Sequence, residues 1–114
     1  MTIFELLDKT ERPYYRYGTV PADTHPGFYT FNQIDTVEIL STDNDIQLKA
    51  DVFDVVYYTD EPADIYTPLD DFCRIARADG WTLKKLPRDI ATDRPNVYGR
   101  LARLAKIDYN TIRA

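Results

Sequence analysis

The segment from Gln47 to Thr59 constrains the fold most, because apolar residues alternate along both of its faces. Each face carries aromatic and β-branched residues: Phe53, Val55 and Tyr57 on one, Val52, Val56 and Tyr58 on the other. A strand with two apolar faces is typical of the centre of a sheet that is covered on both sides. The segment is therefore predicted to be a central strand, with a helix over one face and a partner subunit as a candidate cover for the other.

A short helix is predicted over residues 2–10, near the start of the chain. Thr2 is a favourable N-cap, and a glutamate follows it at the third helical position. Ile3, Phe4 and Leu7 are spaced to form one apolar stripe. Pro13 cannot continue the helix, because it has no backbone N–H to donate.

The main helix is predicted within residues 60–79. Thr67 is the candidate N-cap, Pro68 suits the first helical position, and Gly80 is a natural stop. One apolar stripe should pack on the sheet, formed by Leu69, Phe72, Cys73 and Ala76.

Further strands are predicted on either side of the main helix, over about 14–19, 27–31 with a continuation or restart at 36–40, 81–86 and 97–107. The connecting segments are loops at 21–27 and 87–96 and a polar turn over Ser41–Asp45. Residues 97–107 fit helical spacing as well as strand alternation, and we favour a strand because it completes the sheet. Since the strands run in groups, the sequence predicts one α+β domain over residues 1–114. Its mostly antiparallel sheet has a short N-terminal helix and one main helix packed on one face.

Composition narrows the possible chemistry. The chain has 114 residues, one cysteine (Cys73) and one histidine (His25), which excludes an internal disulfide and a Cys/His zinc cluster. No apolar run approaches the roughly 18 residues of a membrane span, and the first residues lack the pattern of a signal peptide. We therefore expect no membrane partner, no cofactor and no metal.

Charge is divided unevenly along the chain. Residues 23–71 carry twelve acidic residues and one lysine, whereas residues 72–114 carry ten basic and four acidic residues. The net charge of -5 makes direct nucleic-acid binding unexpected, even though Trp81 and Tyr98 lie among the C-terminal basic residues. Either the two halves pair their charges within one molecule, or an acidic face of one copy meets a basic face of the next.

Candidate catalytic groups are few, and none forms a complete site. His25 lies beside Asp23 in a Pro/Gly loop without a nucleophile partner, and Cys73 lies on the apolar stripe of the main helix. The acidic residues around Asp43 and Asp45 do not follow the calcium-loop pattern.

A weak nuclease-like pattern, Asp35 followed by Gln47 and Lys49, would need these residues to converge at one strand end. A metal-dependent nuclease is the enzymatic alternative. The prediction is a non-enzymatic protein with no catalytic residue.

The order of segments resembles that of tail terminator, or tail-completion (head-to-tail joining), proteins of long-tailed bacteriophages and prophages. The resemblance rests on the leading helix, PYYRYG, GFYTFNQIDTVEILSTDN, VFDVVYYTDEPAD, LDDFCRIARADGW and VYGRLARLAKI, and spans nearly the whole chain. It implies an α+β subunit that forms a ring, commonly a hexamer. That ring caps the tail tube and offers a joining surface to the head connector or head-completion protein.

Such a subunit would be found in the host cytoplasm during assembly and then in the tail or neck of the virion. A head-closure or neck component of the same particle is the alternative role.

For contacts between copies, we predict that acidic loops meet arginines of the next copy, with apolar anchors from the outer face of the central strand. The predicted interface comprises Asp43, Asp45, Val52, Val56, Tyr58, Asp60, Glu61, Asp64, Arg88, Arg94, Arg100 and Arg103.

Overall fold

The computed structural model describes residues 1–41 and 46–113, which form an α+β fold with one five-stranded sheet. The elements in chain order are α1 (Ile3–Asp8), β1 (Tyr14–Arg16), β2 (Phe28–Ser41), β3 (Ile46–Thr59), a 3-10 turn (Pro62–Asp64), α2 (Thr67–Ala78), β4 (Thr82–Ile90) and β5 (Tyr98–Arg113). The strand order is β1-β2-β3-β5-β4, and every pairing is antiparallel except that of β1 with β2. The predicted fold class is confirmed. Of the turn predicted over Ser41–Asp45, Ser41 is the last residue of β2, and residues 42–45 lie outside the described residues.

The predicted cap of α1 is confirmed, and it is a reciprocal capping box. The Thr2 hydroxyl accepts from the Glu5 backbone N–H (3.2 Å), and the Glu5 carboxylate accepts from the Thr2 backbone N–H (3.1 Å). The buried stripe differs by one residue from the prediction. Ile3, Leu6 and Leu7 are buried, whereas Phe4 is 47% exposed. The Phe4 ring nevertheless packs edge-on against Phe31 of β2, with the ring centroids 5.3 Å apart.

Helix α2 buries the stripe that the sequence predicts: Leu69, Phe72, Cys73 and Ala76. The predicted N-cap is wrong, because Thr67 is already helical and Tyr66 takes the cap position without a side-chain hydrogen bond. Pro68 in the first turn needs no N–H partner, so this start is compatible with helix geometry. Gly80 ends the helix in a left-handed conformation (φ +93°), as predicted.

The predicted central position of β3 is confirmed, since it pairs with β2 on one side and β5 on the other. Phe53, Val55 and Tyr57 face the core beneath the two helices, which also contains Leu7 and Leu104. The other face of the sheet, which we call the outer face, carries the even-numbered residues of β3.

Two predicted strand boundaries need correction, those of β1 and β4. β1 is only three residues long, because the chain turns at Gly18 (φ +83°) and the Thr19 N–H bonds back to the Arg16 carbonyl (3.0 Å). β4 continues to Ile90, through part of the predicted loop 87–96. Pro87 is tolerated there because β4 is an edge strand, where a missing N–H need not break a pairing. Residues 98–113 form a strand, so the preferred interpretation of the ambiguous C-terminal segment is confirmed.

A three-stranded arm extends the sheet beyond its helix-covered part. A bulge between Gln33 and Asp35 precedes it, after which residues 36–41 of β2 pair with β3, and β3 pairs with β5 beyond residue 105. Among the described residues, β1 pairs with β2 only at 29–31, and β4 pairs with β5 only at 99–105. The fold consequently measures 54 × 26 × 22 Å, and both long edges of the arm lack a neighbouring strand in the described chain.

Candidate functional site

The candidate site is the outer face of the sheet together with the charged residues predicted to contact a second copy. Val52 and Tyr58 are half-buried there, and Tyr58 stacks on Phe28 with ring centroids 5.2 Å apart. Val56 is only 7% exposed, because its cross-strand neighbours Thr30 and Leu101 flank it. Of the three predicted apolar anchors, Val52 and Tyr58 therefore offer more surface to a partner than Val56 does.

The centre of the outer face is occupied by an ion pair between adjacent strands. Arg103 of β5 donates from Nε and Nη2 to both carboxylate oxygens of Asp54 on β3, at 2.8 and 3.1 Å. The hydrogen bonds to Asp54 raise the pKa of Arg103 above its usual range. This bidentate geometry pairs both side chains within one molecule, whereas the charge pattern of the sequence predicts a contact between Arg103 and the next copy.

Arg100 lies on the helix-covered side, where it joins three elements. Its guanidinium donates to Asp89 of β4 (3.0 Å), lies 3.7 Å from a carboxylate oxygen of Asp70 on α2, and stacks 4.9 Å above the Tyr66 ring. Its Nε is buried without a hydrogen-bond partner in the part of the chain that the structure describes. Arg100 of β5 therefore contacts both α2 and β4 and stabilises their packing on the sheet.

The two remaining predicted arginines differ in their contacts. Arg94 donates to the backbone carbonyls of Ala22 and Thr24, which joins the loop after β4 to the loop before β2. Arg88 is exposed on the edge strand β4, opposite Leu101, and makes no ion pair within residues 1–41 and 46–113. Of the four predicted arginines, Arg100 and Arg103 have carboxylate partners, Arg94 bonds to neutral carbonyls, and Arg88 has neither kind of partner in the described chain.

The acidic residues of the predicted interface do not all behave alike in the structure. Asp60 and Glu61 are exposed just after β3. Asp64 accepts a hydrogen bond from the Tyr57 hydroxyl (2.9 Å) and lies 4.0 Å from Arg12. Asp43 and Asp45 lie outside the described residues. The structure thus leaves Asp60 and Glu61 as acidic surface residues and assigns Asp64 an intramolecular role.

The candidate catalytic groups do not come together. His25 is exposed, and its Nδ1 lies 3.2 Å from the Pro26 carbonyl oxygen. Asp35 is opposite Val52, three residues from Lys49, so the strand register separates Asp35 and Lys49 by about 10 Å along the sheet. Within the described residues, no group of three or more His, Cys, Asp or Glu side chains is arranged to hold a metal ion.

Cys73 is buried between α2 and the sheet, and burial raises the pKa of its thiol to about 12. We therefore expect a thiol reagent such as DTNB at pH 8 to label less than 5% of the native protein in an hour. The urea-unfolded protein should be labelled completely within minutes. Measuring absorbance at 412 nm distinguishes the two, and rapid labelling of the native protein would contradict the described burial.

None of the helices in the described part of the chain is long and apolar enough to cross a membrane. In comparisons with known proteins, no family model and no curated protein matches this chain.

Proposed function

We propose that this chain is a structural phage protein that caps the tail tube as a ring of copies and provides the head-to-tail joining surface. The observation that carries the proposal is the three-stranded arm with its two different open edges. A ring needs a heterologous contact, in which one surface of each copy meets a different surface of the next. The β2 edge and the β5 edge lie on opposite sides of the arm and are two such surfaces.

Backbone hydrogen bonding supplies the reason for the edges to pair. The backbone N–H and C=O groups along an open strand edge are a template for another strand, and each hydrogen bond contributes about 0.5–1.5 kcal/mol net. β2 and β5 both run antiparallel to β3, so they point the same way along the arm. In a ring, all arms point the same way about the axis, so the β5 edge of one copy would meet the β2 edge of the next in parallel.

The outer edge of β4 is a weaker candidate for this contact. It contains Lys84, Lys85 and Pro87, and its pairing with β5 is interrupted by two register shifts. Lysine, proline and irregular pairing are the features that keep natural edge strands from pairing with other chains. This difference favours the arm as the place where copies join.

Charge favours the same arrangement. By sequence, residues 35–41 contain Asp35 and Glu38 and no basic residue, whereas residues 106–113 contain two basic residues and one acidic residue. Because Lys106 is already paired with Asp79 of its own chain (3.1 Å), the β5 edge is close to neutral, and it would repel the acidic β2 edge less than a second β2 edge would. The predicted ion pairs between copies would use Arg88 at least cost, because Arg94, Arg100 and Arg103 would first have to leave partners in their own chain.

Assembly tests the proposed contact directly. Thr36→Lys places a lysine on the β2 edge opposite Asp51 of the same molecule, while Thr82→Lys makes the matched change at the start of β4, outside the arm. We expect the wild-type protein and Thr82→Lys to form rings at low salt, and Thr36→Lys to raise the dissociation constant at least tenfold. Native mass spectrometry and light scattering give the oligomer mass, and negative-stain microscopy gives its shape. Equal assembly of both variants would refute the edge contact.

Deletion of the gene in its phage tests the function itself. Overlong tails would identify a terminator, because tube polymerisation would then have lost its stop. Tails of normal length that fail to join heads would instead support the head-closure or neck role. Intact, infectious particles would refute both.

A further inference from the structure

A pocket of about 340 Å³ lies at one end of the outer face. Its floor is the sheet, at Phe28, Thr30 and Tyr58, and its walls are the loop before β2 and the loop after β4. The volume is at the small end of the range for ligand pockets, enough for one side chain or a small molecule. Two residues of the predicted interface, Tyr58 and Arg94, line this pocket, and the proposed contact between strand edges does not use it.

The pocket has a buried floor, and hydrogen bonds join its two walls. Phe28 and Thr30 in the floor are 5% and 3% exposed. The two walls are joined by Arg94, whose guanidinium donates to the carbonyls of Ala22 and Thr24, and the Thr92 hydroxyl donates to the Val97 carbonyl (2.6 Å). A ligand would therefore meet walls that are already ordered.

Acidic and aromatic groups converge on the pocket. Tyr17, 66% exposed, stands at one wall, and Asp93 at the other takes part in no ion pair within the described chain. All three groups, Tyr17, Tyr58 and Asp93, line this one volume. Burial raises the pKa of Tyr58, a hydrogen bond with Thr30 lowers it, and the nearby Tyr17 and Asp93 raise it. Arg94 also lines the pocket and keeps its positive charge, since the carbonyls to which its two terminal nitrogens donate are neutral; its donors are nevertheless occupied by the opposite loop.

We propose that this pocket binds an organic cation of the guanidinium or alkylammonium class, about the size of an arginine or lysine side chain. A cation over the faces of Tyr17 and Tyr58 would be attracted by both rings, and Asp93 would supply the opposing charge. An anion would meet the Asp93 carboxylate and the π faces of the rings, and the terminal nitrogens of Arg94 that could hold it already donate to backbone carbonyls.

Guanidinium groups already stack on tyrosine rings elsewhere in this chain. Arg100 lies 4.9 Å above Tyr66, and Arg12 lies 5.3 Å above Tyr57, each also within 4 Å of a carboxylate oxygen. The pocket presents the same combination of tyrosine ring and carboxylate, and no cation of the described residues forms an ion pair with Asp93. The proposal rests on the pocket alone and holds whether or not the chain is a phage tail protein.

The test is an NMR titration of the ¹⁵N-labelled full chain with N-acetyl-L-arginine amide. We expect saturable shifts of amides in residues 17–20, 28–30 and 92–97, with a dissociation constant on the order of 1 mM. The uncharged isostere N-acetyl-L-citrulline amide should bind at least fivefold more weakly. Asp93→Asn and Tyr17→Ala should each weaken arginine binding about fivefold. Asp23→Asn, which removes a carboxylate outside the pocket, should leave binding unchanged.

Absence of saturable shifts in the pocket would overturn the proposal, as would equal binding of the citrulline derivative or tighter binding by Asp93→Asn. A further arm identifies the source of the cation. A peptide of residues 83–89, which contains Lys84, Lys85 and Arg88, is titrated beside the free arginine derivative. Tighter binding of the peptide supports a side chain from a second copy, and equal binding supports a free small molecule. Either result requires the cation site.

Discussion

Replacing Phe72 with alanine is expected to lower the free energy of unfolding by about 3–5 kcal/mol. Phe72 is 1% exposed, and its ring centroid lies 5.8 Å from that of Tyr29 in the sheet below. The loss combines the transfer energy of the ring with a cavity that the hydrogen-bonded sheet cannot move to fill. Because a domain of this size has about 5–15 kcal/mol of stability in total, this one residue decides whether most molecules stay folded in moderate urea.

Urea titration followed by circular dichroism at 222 nm measures this loss. Arg74→Ala is the matched control on the same helix, because the Arg74 side chain is 75% exposed and forms only a surface ion pair with Asp71 (3.0 Å). We expect the control to change the unfolding free energy by less than about 0.5 kcal/mol. Equal losses for the two variants would mean that α2 does not pack on the sheet through this stripe.

Alkaline pH is expected to destabilise the fold between pH 10 and pH 12. Tyr57 lies in the core, where burial and then its hydrogen bond to Asp64 (2.9 Å) raise its pKa to about 12. Burial also raises the pKa of its neighbour Tyr29. Since these hydroxyls ionise near pH 10 in the unfolded chain, their stabilising effect is complete below pH 10 and is lost as the pH rises through the folded pKa. For Tyr57 the loss amounts to about 1–2 kcal/mol.

Unfolding free energies at pH 8 and pH 11.5 test this, with tyrosinate absorbance at 295 nm as a second signal. Tyr57→Phe is the comparison, because it removes the ionisable hydroxyl while keeping the ring in the core. The variant should be less stable than the wild type at pH 8, having lost the hydrogen bond to Asp64, and should lose less stability between the two pH values. Identical pH dependence in both proteins would show that Tyr57 does not ionise only on unfolding.

Elements whose signals lie within a few consecutive residues were predicted well. Thr2 and Glu5 are three residues apart, and their capping box needs nothing beyond that spacing. The stripe of α2 and the two-faced alternation of β3 are likewise local patterns. The prediction for Thr67 was wrong because its residue type suits an N-cap, whereas Tyr66 takes the cap position and Thr67 already lies inside the helix.

The contacts within the candidate site could not be predicted from the sequence. Asp54 and Arg103 are 49 residues apart, and only the register of β3 with β5 places them opposite each other. Arg94 contacts carbonyls about 70 residues away, and no side-chain pattern marks a backbone acceptor. The extension of β4 across Pro87 depends on its position at the sheet edge, which its own residues do not specify.

The sequence by itself determined the fold class, the central strand, the helix stripes and the division of charge, because each depends on the order of neighbouring residues. Only the tertiary structure decided which charges pair inside one molecule, where the open strand edges lie, and that two distant loops enclose a pocket beside Asp93. Those features depend on strand order and register. A shift of one residue in register would move each side chain to the other face of the sheet, and the ion pairs and the pocket would change with it.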